Sequence, residues 1–326
     1  MAFAASFLKT LAQVAVRRRR QGPTHPEWGL RLETTVETLR AGGEAQLAGT
    51  LEAWRRGQEL TARTVPLARG VKVKERILGG RPALELSPAR EPKSAFLYLH
   101  GGGYVTGSSQ THKALVSRIV QATGATGVVL DYRLAPEHPF PAAIEDATQA
   151  FGEMIDHYGH HVWIAGDSAG GGLSVATMCN LRDRGLRLPW HAVLLCPWVD
   201  LMGSHPSVAE NLPYDWGDRR TLDFYAGHYV PSVADRQHPL SSPIHASLKG
   251  LPPLLIQYGG AELLRDECRQ LVKNAERDGV LVAGREWPGM VHDFQLFAPL
   301  VPQSRAAIAE IAAFVDAPYA PSLFSE

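Results

Sequence analysis

The chain has 326 residues, 45% of them apolar and 20% charged, a balance that supports a sizeable packed core and excludes a disordered or fibrous protein. Lys plus Arg and Asp plus Glu each number 33, so the formal net charge is zero, no overall field exists to hold a polyanion, and nucleic acid is not an expected partner. No apolar run reaches the roughly 18 residues that a membrane-spanning helix needs.

At the N-terminus the positive charges follow the apolar stretch instead of preceding it, and Lys9 interrupts that stretch, so the segment reads as mature sequence and not as a signal peptide. Phe3, Phe7, Leu11 and Val14 recur at helical spacing, and Arg17 to Arg20 place cations where a helix C-terminus favours them. The expectation is a helix docked on its own protein, with peripheral membrane contact through the basic cluster as the alternative. Residues 1 to about 50 read as helices throughout.

From about residue 71 short β-rich runs alternate with helical stretches, the order of an α/β sheet. Strands are expected at 71–77, 83–87, 95–100, 126–131, 162–166, 192–196, 254–258 and 281–287. Several are continuous apolar runs, as strands covered on both faces should be. Helices are expected at 112–123, 141–156, 169–184, 266–279 and 303–316, with Gly124, Gly185 and Gly279 as C-terminal stops. Residues 200–235, rich in Pro, Asp, Trp and Tyr, contain no strand pattern. Together with residues 1–50 they are expected to form a lobe over one sheet edge, leaving 51–199 and 236–326 as the core. His157, His160 and His161 crowd before a strand, but only Asp156 joins them at ligand spacing, so a solvated helix end is expected and no metal site. Cys179, Cys196 and Cys268 are odd in number and widely spaced, unlike a disulfide framework or a zinc site, which suits a reducing, cytoplasmic setting.

The chain contains one G-x-S-x-G, Gly166-Asp167-Ser168-Ala169-Gly170, between an apolar strand and a helical run. A serine at such a corner stands clear at the C-terminal edge of the sheet, with a helix N-terminus aimed at the same spot, which makes Ser168 the candidate nucleophile. His100-Gly101-Gly102-Gly103 ends an earlier strand, and its glycines let the backbone approach a substrate and aim amides at it. No Lys precedes Ser or Thr there, so a phosphate loop does not fit. The amides of Gly101, Gly102 and Ala169 are the expected oxyanion hole. A serine hydroxyl needs a base, and after the strand at 254–258 only one histidine remains, His292, just past the last expected strand. Glu262 leaves the end of the strand before it and is the expected acid, with Asp266 and Glu267 as competitors whose other role is to stabilise a helix N-terminus. Tyr104, Trp198, Trp216 and Phe224 are aromatic candidates for a substrate pocket, or for the core.

With these residues the sequence resembles the hormone-sensitive-lipase-like group of α/β-hydrolases, the bacterial family IV esterases. The resemblance runs from about residue 95 to 298 and rests on His100-Gly101-Gly102-Gly103, Asp131-Tyr132-Arg133-Leu134-Ala135-Pro136-Glu137, Pro139-Phe140-Pro141-Ala142-Ala143, Gly166-Asp167-Ser168-Ala169-Gly170-Gly171 and Gly289-Met290-Val291-His292. It implies an α/β-hydrolase fold with a helical cap, hydrolysis of small acyl esters through an acyl-serine, and no metal or organic cofactor. Amidase or lipase action on the same triad, a non-catalytic small-ligand receptor and a homodimer stay open. The chain departs from the family at Glu262-Leu263-Leu264, where Asp-Pro-Leu is usual.

Overall fold

The computed structural model describes residues 2–317; the side chain of Phe3 and residues 318–326 of the expected core lie outside the described residues. Eight strands form one sheet: β1 (Lys72–Leu78), β2 (Arg81–Ser87), β3 (Ala95–Leu99), β4 (Thr126–Leu130), β5 (Val162–Asp167), β6 (Ala192–Leu195), β7 (Leu254–Gly259) and β8 (Val282–Trp287). Their order is β1-β2-β4-β3-β5-β6-β7-β8, with β1 and β2 antiparallel to their neighbours and all pairings from β4 to β8 parallel.

Among the described residues the α-helices beside the sheet are α1 (Ala2–Gln21), α2 (Leu30–Leu47), α3 (Leu51–Ala62), α4 (Ser109–Thr123), α5 (Ala142–Tyr158), α6 (Ala169–Asp183), α7 (Ser207–Glu210), α8 (Arg219–Tyr229), α9 (Arg265–Arg277) and α10 (Pro302–Asp316). Side chains alternate faces along a strand, and here both faces are covered. Leu97, Leu99, Val128 and Ile164 pack toward α5, α6 and α9, whereas Phe96, Tyr98, Val129 and Trp163 pack toward α4 and α10. This explains why β3 to β7 are unbroken buried runs while β1, at the sheet edge, is mostly exposed. Gly124, Gly185 and Gly279 all have positive φ just past α4, α6 and α9, the left-handed turn that stops a helix.

The N-terminal helices and residues 200–235 meet. Arg40 of α2 donates to the carbonyls of Asp215 and Leu212, and Trp54 of α3 packs against Phe224 and Tyr225 of α8. The helical N-terminal segment therefore continues past residue 50 to Ala62, further than the sequence boundary. Thr50 caps α3 by accepting from the Ala53 amide at 3.2 Å. Arg17 and Arg18 turn inward onto the buried Glu33 carboxylate, so half of the basic cluster serves the packing of α1 on α2. Among the described residues no helix is long and apolar enough to cross a membrane.

The stretch Asp131 to Pro141 is braced on all sides. Asp131 accepts from the Ser109 amide and hydroxyl at the start of α4, Arg133 pairs with Asp146, Glu137 with Arg55, and the Tyr132 hydroxyl donates to the His100 carbonyl at 2.7 Å. The Tyr132 bond ties this stretch to His100, where the glycine loop begins.

Candidate active site

Ser168 sits between β5 and α6 with φ at 50°, a conformation that non-glycine residues adopt only where surrounding structure enforces it. The enforcement comes from close backbone packing: a Cβ at Gly170 would run into the Leu99 carbonyl, and one at Gly166 into the Gly170 carbonyl. The elbow is thereby pressed against the end of β3, where the glycine loop begins. The Ser168 hydroxyl lies 2.9 Å from His292 Nε2, a hydrogen bond between expected nucleophile and expected base contributed by residues 124 apart in sequence.

His292 lies in the loop after β8. Its Nδ1 is 3.9 Å from Glu262 Oε2, an ion-pair distance and longer than a hydrogen bond, and no described residue hydrogen-bonds Nδ1. Glu262 is fully buried, and the same Oε2 accepts from the Gly259 amide at 3.1 Å. The two competitors are occupied elsewhere. Asp266 accepts from the Ser207 amide and pairs with Arg265, and Glu267 accepts from the amides of Val199 and Asp200. Of the three carboxylates, Glu262 is the one brought to the imidazole. Burial works against a charged His292, but the carboxylates of Asp293, Glu262 and Asp215 prevail and push it up to about 10.

The glycine loop departs from expectation at one residue. The Gly101 amide, expected to face a substrate, donates to Asp167 Oδ1 at 3.1 Å. Asp167 also accepts from Tyr98 at 2.7 Å and lies 3.1 Å from His112 Nε2, entirely buried, and this network fixes the direction of the Gly101 peptide. Burial opposes charge on both partners, yet their mutual attraction raises His112 and lowers Asp167, which favours the imidazolium–carboxylate form. Among the described residues no group accepts from the amides of Gly102, Gly103 or Ala169. A Cβ at Gly103 would collide with the Tyr225 ring of α8, which covers this loop.

Sequence reasoning missed Asp215 and the role of Trp216. Asp215 Oδ2 accepts from the Leu263 amide at 2.7 Å, and its Oδ1 accepts from the amides of His292 at 3.1 Å and Trp216 at 2.8 Å. The Trp216 indole N–H donates to the His292 carbonyl at 2.8 Å. One dipeptide from the 200–235 segment thus grips both sides of the His292 backbone and the residue after Glu262. A cavity of about 850 Å³ lies between α2 and this segment, lined in part by Arg40, Leu47, Leu212, Asp215 and Trp216. Of the other aromatic candidates, Tyr104 stacks on Tyr229 at 3.7 Å, Trp198 is buried, and Phe224 packs on Trp54.

A mostly parallel eight-stranded sheet, with a serine at a strand-to-helix elbow and a histidine after the last strand, defines an α/β-hydrolase. Residues 96–296 match the alpha/beta hydrolase fold family. An acetyl-hydrolase of Streptomyces hygroscopicus is 43% identical over 234 residues, covering 70% of this chain and 77% of the relative. A carboxylesterase of Mycobacterium tuberculosis is 34% identical over 235 residues, covering 67% and 72%. A crystal structure of an esterase from the bacterial hormone-sensitive lipase family superposes with a TM-score of 0.83 at 37% identity, covering 88% of this chain and 98% of that one. An esterase/lipase from an uncultured bacterium gives 0.82 at 37% identity with the same coverage. The chain belongs to the alpha/beta hydrolases, in the hormone-sensitive-lipase group of bacterial esterases. It is a carboxylic ester hydrolase.

Proposed function

We propose that the chain is a serine carboxylesterase for short- to medium-chain acyl esters, with Ser168 as nucleophile, His292 as general base and Glu262 as the triad acid. The observation that carries this reading is the 2.9 Å hydrogen bond between Ser168 Oγ and His292 Nε2. As Oγ attacks the ester carbonyl, Nε2 takes its proton and Glu262 holds the imidazolium from the Nδ1 side. The amides of Gly102, Gly103 and Ala169 receive the oxyanion, replacing the expected set that included Gly101. Each such donor is worth roughly 10²- to 10³-fold in rate. The proton on Nε2 passes to the departing alkoxide, leaving acyl-Ser168. Water then attacks the acyl group with His292 again as base, and Ser168 leaves protonated. Every step uses groups of the chain and its substrate.

The cap in this reading is α1 to α3 together with residues 200–235, supported by their mutual contacts through Arg40 and Trp54. A short acyl preference is supported by the acetyl-hydrolase relative. A cytoplasmic setting is supported by three buried free thiols. The test is pre-steady-state release of p-nitrophenolate from p-nitrophenyl esters of increasing acyl length, beside a matched anilide. The reading expects a burst equal to enzyme concentration, strongest with short esters and absent from Ser168→Ala. Wild-type turnover in that variant, or cleavage of the anilide in preference to the ester, would overturn it.

A further inference from the structure

The residue after the catalytic histidine is a buried carboxyl that the triad does not use. Asp293 has φ at 51° and ψ at 35°, the left-handed region that Asp tolerates better than most residues. Its amide lies 3.3 Å from Cys196 Sγ, and its side chain, 7% exposed, places Oδ2 3.3 Å from His292 Nε2. Oδ1 has no hydrogen-bond partner among the described residues. Nε2 therefore faces two oxygens, Ser168 Oγ at 2.9 Å and Asp293 Oδ2 at 3.3 Å. Against a neutral imidazole whose Nδ1 carries the proton, a carboxylate at Nε2 would meet a lone pair and be repelled. The contact becomes attractive when a proton lies between them, as it does once His292 is an imidazolium.

We propose that Asp293 is a further catalytic residue of this site, a second carboxyl on the imidazole that acts at Nε2, opposite Glu262, holds the imidazolium and sets the pH below which His292 stops acting as a base. The proposal rests on the esterase reading above. The proton that leaves Ser168 bonds to Nε2 and is hydrogen-bonded to Asp293 Oδ2 until it passes to the alkoxide.

Charged and titratable groups reach this pair from every side: Glu262 after β7, Asp215 from the 200–235 segment, Asp167 at the end of β5, His112 on α4 and Cys196 after β6. Burial opposes the imidazolium, and the carboxyl groups of Asp293, Glu262 and Asp215 favour it. Asp293 is in turn pushed well up by burial and by Asp167 and Glu262, and is relieved by His292. The charge on Asp293 is thus tied to that of His292, and of these groups Asp293 is the one that touches Nε2.

The experiment is kcat/KM for p-nitrophenyl acetate against pH for the wild type, Asp293→Asn and Asp293→Gly, with Ser168→Ala in parallel and product read at a pH-independent wavelength. Glycine accepts the positive φ, so Asp293→Gly keeps the test alive if the asparagine variant folds poorly. The acid limb of kcat/KM reports the free enzyme's base. Removing the carboxylate lowers the pKa of His292, so the limb should move to lower pH by about one unit or more in both variants, a roughly tenfold gain at acidic pH relative to each plateau. Limbs that superimpose on the wild type, with Ser168→Ala inactive, would overturn the role of Asp293 while leaving the triad intact. Turnover retained in Ser168→Ala would overturn the esterase reading itself, and the Asp293 proposal with it.

Discussion

At the residue scale the acid of the proposed triad is the point of greatest consequence, because glutamate stands where the related family usually has aspartate. Glu262 is buried within ion-pair distance of His292 Nδ1, whereas Asp266 is committed to Arg265 and the Ser207 amide. Glu262→Gln would leave the imidazole without the charge that favours its protonated form, and kcat should fall by about 10³- to 10⁴-fold, the cost seen when such an acid loses its charge. Asp266→Asn should stay within about tenfold of the wild type. Steady-state kinetics on the two variants checks this, and a larger loss in Asp266→Asn would move the acid assignment. The glycine loop teaches a related lesson. Three consecutive glycines announce amides that can be aimed at a substrate, but not which ones are. The Asp167 carboxylate decides by taking the Gly101 amide, and that side chain's direction is set by Tyr98 and His112 from other elements.

At the element scale the alternation of strands and helices was legible because β3 to β7 are covered on both faces, which writes them as unbroken apolar runs, and because glycines end the helices. That Ser168 and His292 would meet was legible for the same reason: residues that leave the ends of strands can be placed once the strands are. Asp215 was not. Its partners Leu263 and His292 lie 48 and 77 residues away, on loops that only the folded sheet brings together, and nothing in a Pro- and aromatic-rich segment marks which carboxylate turns inward. The same holds for Trp216, which reads as a pocket aromatic yet also donates to the His292 carbonyl. Trp216→Phe keeps most of the ring and removes that bond. A loss of about 1 kcal/mol in stability is expected from a single hydrogen bond, together with a fall in kcat larger than the change in KM, because the bond positions the base. Thermal melting and steady-state kinetics read the two effects, and an unchanged kcat would mean that the His292 loop is held without this contact.

At the scale of the whole molecule, α2 and the loop before it pack Trp28, Leu32 and Val36 against Met290, Val291 and Phe294, the residues that flank His292. The Trp28 indole N–H donates to the Gly289 carbonyl at 2.6 Å. The N-terminal helices are therefore joined to the base as well as to the 200–235 segment, and the inward pairing of Arg17 and Arg18 with Glu33 ties α1 to the same assembly. The central claim, that this whole arrangement exists to make one serine nucleophilic, is tested most directly by covalent trapping. The protein would be incubated with diethyl p-nitrophenyl phosphate, its intact mass measured, and the labelled peptide sequenced. The account predicts one diethylphosphoryl group per chain, on Ser168, with labelling strongly slowed in His292→Gln. A label on another residue, or equal labelling in the two proteins, would contradict it.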